Sequence, residues 1–203
     1  MQRNSSDRDF ADYNAAQAER GVRPSARRAA SVALAGPIDR GLVAVELGSG
    51  AGVEARYLAE SGFAVHTYDV DPSIEADMAC LAQTLPIVHS TGNLEEMPAL
   101  PVADLVLSCA TLSFVRRAAF PTLWRRIRDA LRPGGILAVD LFGVRDEWAG
   151  TDGTFLDRAE VEGLLNGLEV IELVEEEREG HSLHGPKHWH THRILARRPE
   201  DPP

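Results

Sequence analysis

An acidic residue followed by three glycines at alternate positions forms the motif with the clearest chemical meaning. The stretch reads Glu46-Leu47-Gly48-Ser49-Gly50-Ala51-Gly52, between a short apolar run and a predicted helix over 53–60. Glycines at that spacing allow positive φ and let a ligand approach the backbone, and the helix start offers unpaired N–H groups. A carboxylate at Glu46 favours a cationic ligand and would repel a pyrophosphate. The motif predicts a binding loop for a positively charged ligand, with a tight turn that binds nothing as the alternative.

A second acid, Asp69, ends the predicted strand 63–69, about 20 residues after the first glycine. In α/β folds that bind nucleosides, an acid at that place accepts hydrogen bonds from the ribose hydroxyls. Asp71 precedes Pro72 and is expected to cap the helix predicted over 72–81. The alternative, in which Asp69 is only a cap, stays open.

The acid-x-G-x-G-x-G pattern resembles the cofactor loop of class I S-adenosylmethionine-dependent methyltransferases. Asp69 and the later segment Leu131-Arg132-Pro133-Gly134-Gly135 follow in the order of that family, so the resemblance is continuous over 43–142. It implies S-adenosylmethionine as the cofactor. It also puts Asn93 on the adenine amine, where the family often has aspartate, because an amide oxygen can accept the same bond. The cofactor-binding residues it implies are Glu46, Gly48, Ser49, Gly50, Gly52, Asp69, Val70, Asn93, Leu94 and Cys109.

The same resemblance implies a Rossmann-like α/β fold, a seven-stranded, mostly parallel sheet in the order 3-2-1-4-5-7-6 with helices on both faces. Strands are predicted over 43–47, 63–69, 86–90, 104–109, 136–142, 168–177 and 188–198. Helices are predicted over 10–18, 25–34, 53–60, 72–81, 120–131 and 157–165. We expect a disordered tail over 1–9 and a single methyltransferase domain over 10–203. In that domain, 10–36 would form a helical lid on the cofactor, and the C-terminal part looks most like the small tellurite-resistance type.

The composition limits the classes of partner. A net charge of −10 repels nucleic acid phosphates, and no apolar run is long enough to cross a bilayer. The N-terminal residues are polar, without a signal peptide, and Cys80 and Cys109 have no disulfide or metal spacing. We therefore expect a cytoplasmic protein with a small-molecule substrate and neither a nucleic acid nor a membrane partner. The oligomeric state cannot be read from the sequence.

Methyl transfer needs an aligned nucleophile, methyl group and sulfur, screened from water. A base is needed only if the nucleophile arrives protonated. If the last strand is antiparallel, its first residues reach the ligand edge of the sheet, so His188 or His190 is the candidate base. Satisfied histidines on a polar strand face are the alternative. The candidates for the substrate pocket are Tyr13, Leu112, Phe114, Arg145, Trp148 and Trp189.

His188, His190 and His192 share one strand face and, with Glu147, could hold zinc or iron. No sequence feature fixes the remaining ligands, so no metal is predicted, and Cys109 is not expected to be a nucleophile. The predicted function is methyl transfer to a small thiol, chalcogen oxyanion or natural-product hydroxyl or amine. A cofactor-binding module without turnover and a nicotinamide-dependent reductase are the alternatives. The early third glycine, Gly52, speaks against the reductase.

Overall fold

Helices and strands alternate along most of the chain in the computed structural model. The structure describes residues 10–36, 40–97, 99–183 and 185–200, so the predicted tail over 1–9 lies outside the described residues. The helices are α1 Ala11–Gln17, α2 Pro24–Ala33, α3 Val53–Glu60, α4 Glu75–Ala82, α5 Phe120–Ala130 and α6 Arg158–Leu164. The strands are β1 Leu42–Leu47, β2 Phe63–Asp69, β3 Ile87–Thr91, β4 Ala103–Ser108, β5 Leu131–Phe142, β6 Glu169–Ser182 and β7 Gly185–Arg197.

These strands form one seven-stranded sheet in the order β3-β2-β1-β4-β5-β7-β6, which confirms the predicted topology. β3, β2, β1, β4 and β5 are parallel, and β7 runs antiparallel between β5 and β6. Every residue of β4 is buried, as expected for a central strand covered on both faces. The carboxyl ends of β1, β2, β4 and β5 therefore meet at one edge of the sheet.

Two apolar layers cover the faces of the sheet. On one face, α2, α3 and α4 bury residues such as Ala29, Leu58 and Met78 against the strands. On the other face, α5 and α6 bury Trp124 and Val161. Among the described residues, no helix is long and apolar enough to cross a membrane.

The β6–β7 hairpin is longer than predicted. Its pairing continues from Glu177↔His190 to Ser182↔Gly185, past the last β5 pair, Phe142↔Thr191. The part of the hairpin beyond β5 is a two-stranded ribbon that is rich in charged residues, several of which are exposed. Such a segment lacks the apolar alternation by which a half-buried strand is recognised in a sequence.

The segment after α5 also differs in its bounds. α5 ends at Ala130, and Leu131 is already extended, with φ −67° and ψ 130°. The predicted turn residues 132–135 lie within β5, where the pairing to β4 shifts between Ala103 and Leu105. Gly134 has φ 76°, so the turn chemistry is present as an irregularity in the strand.

Candidate cofactor and acceptor site

The three glycines of the loop after β1 all have positive φ, namely 77° at Gly48, 49° at Gly50 and 72° at Gly52. A Cβ on Gly48 would collide with the side chain of Thr111, which follows β4. A Cβ on Gly52, the residue immediately before α3, would lie 2.7 Å from the sulfur of Met78. The loop is therefore packed closely from both sides, and glycine is required for its conformation.

The carboxyl group of Glu46 is buried and forms no ion pair among the described residues. The residue is 3% exposed, and its Oε2 has no hydrogen-bond partner among the described residues. Burial and the neighbouring Glu54 raise the pKa of Glu46 well above its ordinary value. Ser49, in the adjacent loop, has a buried hydroxyl that also lacks a partner within the described residues. A bound ammonium group would supply what this site lacks, since unpaired buried charge is costly.

Asp69 lies at the end of β2 beside this loop and is 8% exposed. Its Oδ2 accepts the Gly50 N–H at 2.7 Å, and its Oδ1 accepts the Asp71 N–H at 3.0 Å. Asp71 accepts the Ser73 N–H at 2.9 Å and caps the 3-10 turn that precedes α4, which confirms the predicted cap. Asp69 thus ties the glycine loop to β2, and its role on a ribose stays a prediction.

Asn93 and Leu94 follow β3 at the same edge of the sheet. Asn93 is half-buried, and its Oδ1 accepts the Glu95 N–H at 3.0 Å, so the amide oxygen shapes the turn in which it lies. Leu94 is 6% exposed, and Val70 after Asp69 is half-buried. The structure brings these residues to the edge that holds the glycine loop, and their contacts to adenine remain predicted.

The N-terminal segment is anchored on the glycine loop and α3. Asn14 of α1 donates to Asp71 at 2.7 Å, and the Arg20 guanidinium pairs with both carboxylate oxygens of Glu54. Arg23 donates its backbone N–H to Glu54 at 3.0 Å. Burial alone would raise the pKa of Glu54, but the hydrogen bonds from Arg20 and Arg23 outweigh burial and lower it.

Within the predicted lid 10–36, these anchored residues belong to α1 and the connection that follows it. α2 packs on the sheet and contributes to its core. Tyr13 is 36% exposed, with its hydroxyl 3.4 Å from the Arg23 guanidinium. The structure thus places Tyr13 on the covering segment, and its contact with a substrate stays a prediction.

Several predicted pocket residues form an aromatic cluster, defined here as Phe114, Phe142, Trp148 and Trp189. The ring centroids of Phe114 lie 5.9 Å from Phe142 and 5.8 Å from Trp148. Trp148 and Trp189 lie 5.4 Å apart. Phe142 is buried behind the others, whereas Phe114, Trp148 and Trp189 are half-buried. Leu112, also a predicted pocket residue, is fully buried in the hydrophobic core.

Lys187, which sequence reasoning missed, is buried against the same cluster. Its Nζ lies 3.7 Å from the Trp189 ring centroid and 4.1 Å from that of Trp148, and the residue is 2% exposed. Asp146 accepts a hydrogen bond from this Nζ at 2.5 Å and also accepts the Trp148 N–H at 3.0 Å. In the sequence, the only signal for Lys187 was its position two residues before Trp189, because residues two apart share one face of a strand.

The candidate bases lie on the opposite face of β7 from Lys187 and Trp189. His190 is fully buried, its Nδ1 accepts the Arg145 N–H at 3.0 Å, and its Nε2 lies 2.9 Å from Glu175. His188 is paired with Glu179 through Nδ1 at 2.7 Å. The Arg145 guanidinium also turns to this acidic face, where it pairs with Glu175. These contacts match the alternative of satisfied histidines, and a base role for either histidine stays a prediction.

The face of β7 that carries the three histidines lies against Glu175. Glu147, which was expected to join them, instead accepts the backbone N–H of His188 at 3.0 Å. One ligand atom from each of Glu175, His190 and His192 lies within 4.8 Å of the other two. His192 would suit a metal, since its Nε2 donates to a backbone carbonyl and its Nδ1 has no partner among the described residues. His190 does not suit one, because the N–H it accepts at Nδ1 places the ring proton on Nε2. The hydrogen bonds of the cluster therefore match a proton on Nε2 of His190 better than a bound metal ion.

Asp140 and Cys109 lie between the glycine loop and the aromatic cluster. Val139 pairs with Ser108, so the next residues of β5 and β4 stand side by side. Burial raises the pKa of Asp140 to about 6, against the opposing effects of Arg23, Arg193 and a hydrogen bond from Cys109. Burial also raises the pKa of the Cys109 thiol, in line with its expected lack of nucleophilic character. The sequence signal for Asp140 was an acid in an otherwise apolar run.

A family model described as a methyltransferase domain matches residues 45–139. A comparison with curated proteins found no match. Among solved structures, TehB from Haemophilus influenzae superposes with a TM-score of 0.74 at 16% identity, over 87% of this chain and 62% of TehB. The chain therefore spans less than two thirds of TehB.

Two further structures cover more of both chains. The N-methyltransferase NodS from Bradyrhizobium japonicum, in complex with S-adenosylhomocysteine, gives a TM-score of 0.64 at 17% identity over 95% of this chain and 100% of NodS. The 1,6-didemethyltoxoflavin-N1-methyltransferase from Burkholderia thailandensis gives 0.62 at 19% identity over 94% of this chain and 84% of that one. Residues 45–139 thus match a methyltransferase domain, and the chain shares its fold with these three structures.

Proposed function

We propose that the protein transfers the methyl group of S-adenosylmethionine to a small-molecule acceptor. The observation that carries the proposal is the buried carboxyl group of Glu46, whose Oε2 has no partner among the described residues, beside a loop in which a Cβ at Gly48 or Gly52 would clash. S-adenosylmethionine carries an ammonium and a sulfonium but no phosphate, and it supplies the electrophilic methyl carbon when bound. A nicotinamide dinucleotide would instead bring a pyrophosphate toward an acid.

The residues of the chain have distinct tasks in this proposal. Glu46 pairs with the ammonium group, and Asp69 accepts hydrogen bonds from the ribose at the end of β2. The segment held by Arg20, Arg23 and Asn14 covers the loop and keeps water from the reacting atoms. The acceptor lies at the carboxyl ends of β4 and β5, beside the aromatic cluster. The acceptor classes are the thiol, the chalcogen oxyanion and the natural-product hydroxyl or amine.

Calorimetry with S-adenosylmethionine, S-adenosylhomocysteine and NADH tests the cofactor. We expect micromolar binding of the first two compounds, about 8 kcal/mol, and none of NADH. Glu46→Gln should weaken the binding, whereas Glu60→Gln, an exposed acid at the end of α3, should not. Binding of NADH without S-adenosylhomocysteine would refute the proposal. Binding of S-adenosylmethionine without any methylated product over a broad panel of acceptors would favour the module without turnover.

A further inference from the structure

Asp140 is the acid that β5 places nearest to the aromatic cluster. Asp140 and Phe142 are two residues apart on one strand, so their side chains share a face and their backbones are about 7 Å apart. Phe142 contacts Phe114 and Trp148 with ring centroids 5.9 and 5.7 Å away. Cys109 directly follows the neighbouring strand β4, which lies between β5 and β1. An acceptor against the half-buried rings would therefore have Asp140 between itself and the glycine loop.

Four charged or titratable groups act on Asp140. They are Arg23 from the connection before α2, Arg193 from β7, Glu54 from α3 and the Cys109 thiol after β4. The two arginines favour the carboxylate over the carboxylic acid, and burial opposes them. The carboxylate is thus ionised at neutral pH and still basic enough to take a proton, the condition for a general base.

Most cations near the cluster are paired with carboxylates, which disfavours an anionic acceptor; the exposed Arg178 guanidinium lies over the Trp189 ring, 5.8 Å from its centroid. Arg20 and Arg23 pair with Glu54, Lys187 pairs with Asp146, and the Arg145 guanidinium turns to the acidic face of β6. A chalcogen oxyanion would meet apolar rings and a carboxylate. A neutral ring would instead gain contact with aromatic faces, worth about 0.5–1.5 kcal/mol per ring pair beyond area burial.

Building on the proposed function, we propose that Asp140 is the base for an aromatic hydroxyl or thiol acceptor that lies against Phe114 and Trp148. The acceptor oxygen or sulfur forms a bond to the methyl carbon as the bond between that carbon and the sulfonium sulfur breaks. The proton of the acceptor passes to the Asp140 carboxylate and then to solvent. The electron pair of the broken bond stays on sulfur, so S-adenosylhomocysteine and the methylated acceptor leave as the products.

The experiment uses the full chain saturated with S-adenosylhomocysteine for binding and with S-adenosylmethionine for turnover. Catechol and thiophenol are the probes, and cyclohexanol, cyclohexanethiol and selenite are the comparators. We expect calorimetry to show binding of the aromatic probes only, and mass spectrometry to show their methylation. Trp148→Ala should reduce their affinity at least several-fold.

The base assignment is tested by Asp140→Asn, with Asp77→Asn on the exposed face of α4 as the matched control. The wild-type rate should fall on the acid side with a midpoint near pH 6. Asp140→Asn should lower turnover about 10²- to 10⁴-fold and abolish that acid limb, with the affinities for S-adenosylhomocysteine and catechol within a few-fold. If Asp140→Asn does not fold, Asp140→Glu should keep the limb at a shifted midpoint.

Each contrary result would contradict a different part of the reasoning about the acceptor, the base or the cofactor. Binding of S-adenosylhomocysteine without binding or methylation of either aromatic probe would overturn this inference and leave the proposed function intact. Full turnover with an unchanged pH profile in Asp140→Asn, or in Asp140→Glu where that variant decides, would overturn the base assignment. Failure to bind S-adenosylhomocysteine would overturn the proposed function itself.

Discussion

Replacing Lys187 with methionine should destabilise the fold strongly, because it removes one half of a buried ion pair. The side chains of Lys187 and Asp146 are 1% and 0% exposed, with Nζ 2.5 Å from Oδ1. Asp146 would remain as a buried charge, and breaking such a pair by removing one partner costs about 3–5 kcal/mol. Methionine retains the aliphatic length against Trp148 and Trp189, so the loss reports mainly on the charge. At about 2–4 °C per kcal/mol for a chain of this size, the melting temperature should fall by roughly 10 °C.

The assay is urea denaturation followed by circular dichroism and tryptophan fluorescence, with Arg197→Met as the control. Arg197 lies near the other end of β7, and among the described residues its only ion pair is the exposed one with Glu169 at 3.5 Å, so its loss should cost less than about 1 kcal/mol. The double variant Lys187→Met with Asp146→Asn should recover about 1–3 kcal/mol relative to the sum of the single losses. A Lys187→Met protein within about 0.5 kcal/mol of the wild type would refute the reasoning.

Three further predictions concern the cofactor end of the site. Asp69→Ala should cost about 1.5–3 kcal/mol of S-adenosylhomocysteine affinity by calorimetry, whereas Asp71→Ala should cost about 1 kcal/mol of stability with smaller loss of affinity; the reverse would exchange their roles. Because the folded state raises the pKa of Glu46, the unliganded protein should lose stability as the pH rises above the ordinary value of 4.5, and melting curves of Glu46→Gln should lack that loss. Because the folded state lowers the pKa of Glu54, its pairing with Arg20 should stabilise above pH 4.5 and be lost as the pH falls below it, so a Glu54→Gln variant with the same acid sensitivity as the wild type would contradict this.

The parts of the site that the sequence could predict are those that depend only on residues close together in the chain. Gly48 and Gly52 need positive φ, and Asp71 before a proline is a cap, whatever lies elsewhere in the fold. The sheet order followed from the resemblance to a family, since strand order is not encoded in any one segment. Asp69 was placed by its distance along the chain from the glycines.

The parts that sequence could not predict depend on register between distant strands. Lys187 is a candidate only once β7 is known to lie beside β5 with its early residues beyond Phe142. Asp140 stands in an apolar run that predicts only burial, and its role becomes visible only when β5 is placed beside β4 and the Cys109 that follows it. The length of the hairpin was missed because the ribbon is rich in charged residues and has no apolar period.

The ribbon that extends β6 and β7 past β5 has two unlike surfaces, because side chains alternate along a strand. Lys187 and Trp189 belong to the aromatic side, and His188 and His190 to the acidic one. A single inserted residue in β7 would exchange these two sets, placing histidines against the rings and the tryptophan among carboxylates. Insertions or deletions can therefore be tolerated here only in steps of two residues, matched on both strands. Within that constraint the ribbon can lengthen or shorten as a unit, and homologous chains could reshape the aromatic cluster without altering the glycine loop.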